Sequence, residues 1–268
     1  MENRGNYANI NGLQLYYEVH GKGEPLLLLP GALSGIGTAF GKLIPLLAIK
    51  RQVIAVEFQG YGHTADIQER PLSYELLAND VIELLHVLNI PKTDIFGYST
   101  GAGVALLIAI RRPDVVRKLV LASVSYKSIG RHPDLSTLFS SEFMEQALKG
   151  SPYEAEYLST APRPEDWPKQ LAKVRAFEQE VQDWPAEEIS GIAAPALIIA
   201  GDTDIIQHEH TVALYKLFGG GSLGELSMPT SQLAILPGTM HTTLTQKTDL
   251  LMAMIPGFLD VSDEVPHK

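Results

Sequence analysis

"DIFGYSTGAGVAL" (residues 94–106) places three glycines and two small hydroxyl residues, Ser99 and Thr100, where one apolar run gives way to another. "TDIFGYS" is strand-like, and "GAGVALLIAIRRP" reads as a buried helix closed by Arg111, Arg112 and Pro113. A Gly-x-Ser-x-Gly sequence at a strand-to-helix turn fits more than a tight turn. The serine backbone is strained there so that its hydroxyl stands clear. A Cβ at 97 or 101 would collide with the neighbouring strand or helix. The helix N-terminus beneath also favours negative charge developing near Ser99. The pentapeptide alone is a weak signal, so the rest of the chain has to decide.

Outward from that turn the pattern alternates. "LQLYYEV" (13–19) is rich in β-branched and aromatic residues, and "PLLLLPG" (25–31) and "QVIAVEF" (52–58) are short continuous apolar runs, as in strands buried on both faces. "SYELLANDVIELLHVLNI" (73–90) has helical apolar spacing with Ser73 as N-cap, and a further helix fits near 38–48. "VRKLVLASVS" (116–125) is the next strand. Strands alternating with helices predict an α/β fold, a mostly parallel doubly wound sheet. Between 126 and 190 the β-type runs stop. Prolines, charged residues and both tryptophans, Trp167 and Trp184, take their place, with short amphipathic helices at "SSEFMEQALKG" and "WPKQLAKVRAFEQEV". The sheet pattern resumes at "PALIIAGDTD" (195–204), followed by a helix over 210–218, a strand "QLAILPGTMH" (232–241) and a last helix "LLMAMIPGFLD". The organisation expected is a core of residues 1–125 and 190–268, with 126–189 inserted as a helical lid; insertions of this size are usually functional.

Composition narrows the function classes. The chain has 268 residues, 45% hydrophobic and 19% charged, with a formal net charge of −10. That balance argues against a nucleic-acid partner and against an anionic membrane surface. Cys is absent, which excludes disulfides, thiolate catalysis and zinc–thiolate sites. No apolar run approaches the ~20 residues of a membrane helix, and "MENRGNYANI" lacks the apolar region of a signal peptide. A cytoplasmic enzyme is the expectation.

A serine nucleophile needs a base, and the base an orienting acid. In this kind of fold the order along the chain is Ser, then Asp or Glu, then His. "LIIAGDTD" ends a strand with Asp202 and Asp204, and "LAILPGTMH" ends the last strand with His241. All these positions fall at carboxyl ends of strands, where crevices form in open α/β sheets. Residues two apart in an extended loop face the same way, so spacing leaves either aspartate as the acid.

These segments, with "LLLLPGAL", "VIAVEFQGYGHTAD" and "ALIIAGDTDIIQHEH", resemble the α/β-hydrolase superfamily, in the group of small esterases, lactonases and cofactor-free haloperoxidases. The resemblance covers nearly all of the chain outside 126–190. It places the acid on the last residue of Gly-x-x-Asp, here Asp204. It implies oxyanion donors at the backbone N–H of Ala32 and of Thr100. Most relatives begin the first of these loops with His-Gly, whereas this chain has Pro30-Gly31; a backbone donor survives that change. Serine at the turn sets the chain apart from haloalkane dehalogenases and epoxide hydrolases, whose relatives carry Asp there.

The reading is a serine hydrolase of a small carboxylic ester, lactone or thioester, working through Ser99, Asp204 and His241 without metal or organic cofactor. Leu33, Tyr98 and Trp167 are candidates to line the substrate pocket. Perhydrolysis or carbon–carbon bond hydrolysis on the same triad is the alternative enzyme reading. A ligand-binding receptor of this fold with negligible turnover is the alternative from another class. Several motifs read more plainly. "HEH" (208–210) fits the polar start of a helix better than a metal pair, and His63 fits a surface turn. "GGGS" (219–222) lacks the Lys-Ser/Thr of a phosphate loop.

Overall fold

The computed structural model describes residues 5–135, 141–180, 182–223 and 229–261. Eight strands form one sheet: β1 (Gly5–Ile10), β2 (Leu13–His20), β3 (Glu24–Leu29), β4 (Arg51–Val56), β5 (Thr93–Tyr98), β6 (Val116–Ala122), β7 (Ala196–Thr203) and β8 (Gln232–Met240). Their order across the sheet is β1-β2-β4-β3-β5-β6-β7-β8. From β4 to β8 the pairing is parallel, and β1 and β2 join antiparallel at one edge. β1 was not anticipated from the sequence. Asn11 and Gly12 both take positive φ between β1 and β2, so an Asn-Gly hairpin turn makes that edge.

Alternation along each central strand splits the core into two faces. Leu27 and Leu29 of β3 pack with Ile54, Val56 and Ile95 on one face; Leu26 and Leu28 pack with Val53, Ala55 and Phe96 on the other. That is why "LLLL" reads as an unbroken apolar run. Helix α4 (Thr100–Arg111) is buried along nearly its whole length on the first face, beside α3 (Tyr74–Val87). Ser73 caps α3 by accepting the Leu76 N–H at 3.2 Å. The region expected to hold one helix near 38–48 holds two short ones, α1 (Ile36–Phe40) and α2 (Ile44–Leu47).

Between β6 and β7 the chain runs through α5 (Ser141–Leu148), α6 (Pro152–Thr160), α7 (Trp167–Gln179) and α8 (Ala186–Ser190). The α6 helix carries no strong apolar stripe, which is why its sequence did not announce it; Ser151 caps it through the Glu154 N–H. Then come α9 (His208–Leu217) and α10 (Thr248–Asp260). No helix among the described residues is long and apolar enough to cross a membrane.

Candidate active site

Ser99 sits between β5 and α4 with φ 54° and ψ −119°, a conformation that side chains rarely adopt. Its own N–H is held by the Ala122 carbonyl at 2.8 Å. The flanking glycines are required by close approach. A Cβ on Gly97 would stand 2.5 Å from the Ala102 Cα, and one on Gly101 would stand 2.6 Å from the Pro30 oxygen. Backbone strain and tight packing thus hold the Ser99 hydroxyl out at the sheet's edge.

His241 follows β8, and its Nε2 lies 3.0 Å from Ser99 Oγ. Its Nδ1 lies 3.0 Å from Asp204 Oδ1, at the end of β7. The β7–β8 register shifts between Gly201 and Thr203, just before Asp204. Asp204 also accepts the Gly201 N–H at 3.0 Å and the Ile205 N–H at 2.7 Å. Burial pushes the Asp204 carboxyl up, but the hydrogen bonds from His241, Ser123 and Gly201 and the His241 charge outweigh it and hold the carboxyl at about 2. An ionised Asp204 accepts only, so the imidazole proton belongs on Nδ1 and the Nε2 lone pair faces Ser99. Tyr98 fixes the same histidine from behind, donating its hydroxyl to the His241 carbonyl at 2.7 Å.

The two aspartates separate cleanly. Asp202 is exposed and points away, accepting the Gly238 N–H at 2.8 Å and the Thr239 N–H at 2.9 Å. It ties the β7 loop to β8; Asp204 turns inward to His241. A third partner was missed by sequence reasoning. Ser123, with φ 56° at the end of β6, donates to Asp204 Oδ1 at 2.6 Å and stands 2.6 Å from His241 Nδ1. The strand-end rule that located the two aspartates and His241 applies equally to the first residue after β6, and would have found it.

Ala32 lines the cavity beside Ser99, and Thr100 follows Ser99 directly in the chain. Gly31, just before Ala32, packs so closely that a Cβ there would meet the Ser99 Cβ at 3.2 Å. Thr100 opens α4, where the first N–H groups have no partner within the helix.

A cavity of about 250 Å³ opens over these atoms, mainly apolar in lining. Ala32, Leu33, Tyr98 and Ser99 form its floor, and Met144, Leu148, Tyr153 and Val174 supply wall from the helices between β6 and β7. Trp167 is a correction to the pocket reading. It does not line the cavity but packs on Tyr157, with ring centroids 5.0 Å apart. Its apolar bulk is spent joining α7 to α6. Glu178, from α7, is the one carboxylate in the cavity wall among the described residues; it accepts the Thr100 hydroxyl at 2.8 Å and pairs with Arg131 at 3.4 Å. Another carboxylate, Glu156 of α6, crosses to the core and accepts the Gly35 N–H at 2.9 Å and the Thr38 N–H at 3.0 Å.

Two other histidines have structural partners. His210, in α9, stacks on Tyr126 with centroids 4.3 Å apart, and burial lowers its affinity for a proton. His63 is not a surface-turn residue but half-buried: its Nδ1 lies 3.0 Å from the buried Glu57 and its ring stacks on Tyr16. Among the described residues no group of three or more His, Asp or Glu is disposed to hold a metal ion.

Three comparisons with known proteins bear on this site. A family profile described as alpha/beta hydrolase fold matches residues 24–158. The 2-hydroxymuconate semialdehyde hydrolase of Pseudomonas sp. (strain CF600) is 33% identical over 121 residues, 43% of this chain and 42% of that protein. The serine hydrolase BPHL of Homo sapiens is 34% identical over 122 residues, 42% of this chain and 40% of that protein. The match thus spans less than half the length of these relatives. Among solved structures, a meta-cleavage product hydrolase from Pseudomonas fluorescens IP01 superposes with a TM-score of 0.76 at 21% identity, covering 96% of this chain and 97% of that one.

Proposed function

The chain belongs to the alpha/beta hydrolase fold family, and from that premise we propose that it is a serine hydrolase of a small carboxylic ester, lactone or thioester, acting through an acyl-enzyme. The observation that carries this reading is the continuous line from Ser99 Oγ to His241 to Asp204, with both links at 3.0 Å. Ser99 attacks the carbonyl carbon as His241 Nε2 takes its proton. The tetrahedral oxyanion is held by the Ala32 and Thr100 N–H groups, each worth ~3 kcal/mol of transition-state stabilisation. His241 returns the proton to the leaving group, and Asp204 stabilises the imidazolium throughout. Water then releases the acyl group. No metal or organic cofactor enters these steps. The helices between β6 and β7 act as a lid over the acyl pocket. A cavity of about 250 Å³ is at the small end for ligand sites, which favours short to medium acyl chains. The substrate meets the enzyme in the cytoplasm.

Hydrolysis of a carbon–carbon bond on the same triad is a second reading. It is supported by relatives whose names give a semialdehyde and a meta-cleavage product as substrates. A fluorophosphonate tests the shared nucleophile: it should label the protein once, at Ser99. A panel of p-nitrophenyl esters of graded chain length then separates the two. Turnover highest at short to medium chains supports the esterase reading. No turnover on any ester, with Ser99 still labelled, favours carbon–carbon hydrolysis.

A further inference from the structure

The large cavity is not the only space that reaches the nucleophile. Beside it, sharing Ser99, Leu135, Glu178, Ile205 and His241 with it, lies a chamber of about 20 Å³. Its wall carries more polar groups in proportion, set beside Tyr74, Val124, Leu135, Ile205 and Ile206. Thr100, Ser123, Ser125, Arg131 and Glu178 contribute hydroxyls, a guanidinium and a carboxylate to its wall. A space needs roughly 10–15 Å³ of this kind to hold one water, together with two to four polar partners. This chamber meets both conditions, and it is too small for a second water or for any acyl or alkoxy group.

The sequence of events makes the chamber useful. Once Ser99 is acylated, the acyl chain fills the apolar cavity. An attacking water then has to reach the ester carbon from elsewhere, within reach of His241 Nε2. Among the described residues, the small chamber is a second space bounded by both Ser99 and His241. Its supply is built in as well. A surface groove lined by Ser128, His132 and Gln207 shares Arg131, Leu135 and Glu178 with it, so those three side chains form the partition between chamber and solvent.

We propose that this chamber seats the hydrolytic water of deacylation, and that Glu178 is the group that orients it. The proposal rests on the acyl-enzyme reading above. Glu178 Oε1 accepts from Thr100 and Oε2 faces Arg131, leaving lone pairs for a water O–H. With one proton on Glu178, the water directs the other to His241 Nε2. The water oxygen bonds to the acyl carbon, and its proton passes to His241. The bond from carbon to Ser99 Oγ breaks, the proton returns to Oγ, and the carboxylic acid leaves. Acylation needs none of this, so the two half-reactions depend differently on Glu178.

Two variants of the full chain test the idea with p-nitrophenyl butyrate. Glu178→Gln removes the charge but keeps the shape. Val124→Ile adds a methyl group, about the size of a water, to the chamber wall and alters no charge. Val124→Ile should keep a nitrophenol burst of one per active site and lose about tenfold in the steady-state rate that follows; Glu178→Gln, which also touches Thr100 and the acyl cavity, should lower the steady-state rate about tenfold more than the burst rate. Mass spectrometry of quenched samples should find the butyryl group accumulating on Ser99. Burst and steady state falling together, or both holding at the wild-type level, overturns the water seat. Fluorophosphonate labelling keeps the underlying reading separate: failure to label the wild type at Ser99 overturns the nucleophile itself. Normal labelling with unaltered deacylation in both variants overturns only the chamber.

Discussion

Among the described residues, two histidine–carboxylate pairs lie just beyond the carboxyl end of a strand of this sheet. After β8, His241 Nδ1 lies 3.0 Å from Asp204; after β4, His63 Nδ1 lies 3.0 Å from Glu57. Both carboxylates are buried. The difference is on the far side of each ring. His241 turns Nε2 to Ser99, whereas His63 lies flat on Tyr16, centroids 4.1 Å apart, and no hydroxyl among the described residues hydrogen-bonds to it. Glu57 also accepts the His63 backbone N–H and the Ile36 N–H at the start of α1. On the proposed reading the same dyad is a base in one place and a strut in the other, and what separates them is the strained serine.

Removing that serine should have the largest effect. Ser99→Ala should lower kcat by about 10⁶ with the melting temperature unchanged or raised, since the backbone strain persists without the polar contact. Next, Asp204→Asn should cost about 10⁴ in kcat, because an amide favours the wrong imidazole tautomer. Asp202→Asn, measured beside it, should cost less than about tenfold, as the loop hydrogen bonds it accepts survive in an amide oxygen. A reversal of those two results would move the acid to Asp202.

The β4 pair should respond in stability and not in rate. Glu57→Gln should lower the unfolding free energy by about 2 kcal/mol, with kcat per folded molecule within a few-fold of wild type. A loss near that of Asp204→Asn would mean that the strut takes part in the chemistry. The smallest effect expected is a pH dependence. The Glu57 carboxylate raises the His63 imidazole above its ordinary range, against the opposing effect of burial. A group with a raised folded value stabilises fully below its unfolded value, about 6.5, and that contribution is lost as pH rises through the folded value. The melting-temperature gap between wild type and His63→Asn should thus be widest near pH ~5.5 and narrow by pH ~8.5. Asp204 behaves oppositely. Its carboxyl is held at about 2, so its contribution is present in neutral solution and lost only as pH falls toward that value.

Much of the sheet and the triad could be read from the sequence because backbone requirements dictate residue types. Leucine runs with a face on each side, glycines pressed on strand and helix, and a histidine just past the last strand all leave local marks. β1 left one too, an Asn-Gly turn, but its strand "GNYANI" lacks the apolar density of the others. Ser123, Glu178 and Glu156 left almost none. Their roles arise from contacts across 118, 78 and 121 positions of chain respectively. No period or local propensity encodes a contact of that kind. Trp167 failed for a related reason: a large aromatic in a helical insertion fits packing and ligand contact equally well until the neighbouring helix is placed.

The division of labour in the cavity has an evolutionary consequence. On the proposed reading the triad hangs from strand ends, while much of the apolar wall hangs from helices that contribute no member of it. Substitutions at Met144, Leu148 or Val174 can reshape what fits without disturbing how it is cleaved. Glu156 marks where that latitude stops. Its carboxylate holds the backbone immediately downstream of Ala32, so this helical position, like Glu178 on Thr100, is answerable to the floor as well as to the roof. A lineage diversifying its substrates on this scaffold would be expected to rewrite the roof around Glu156 and leave that residue in place.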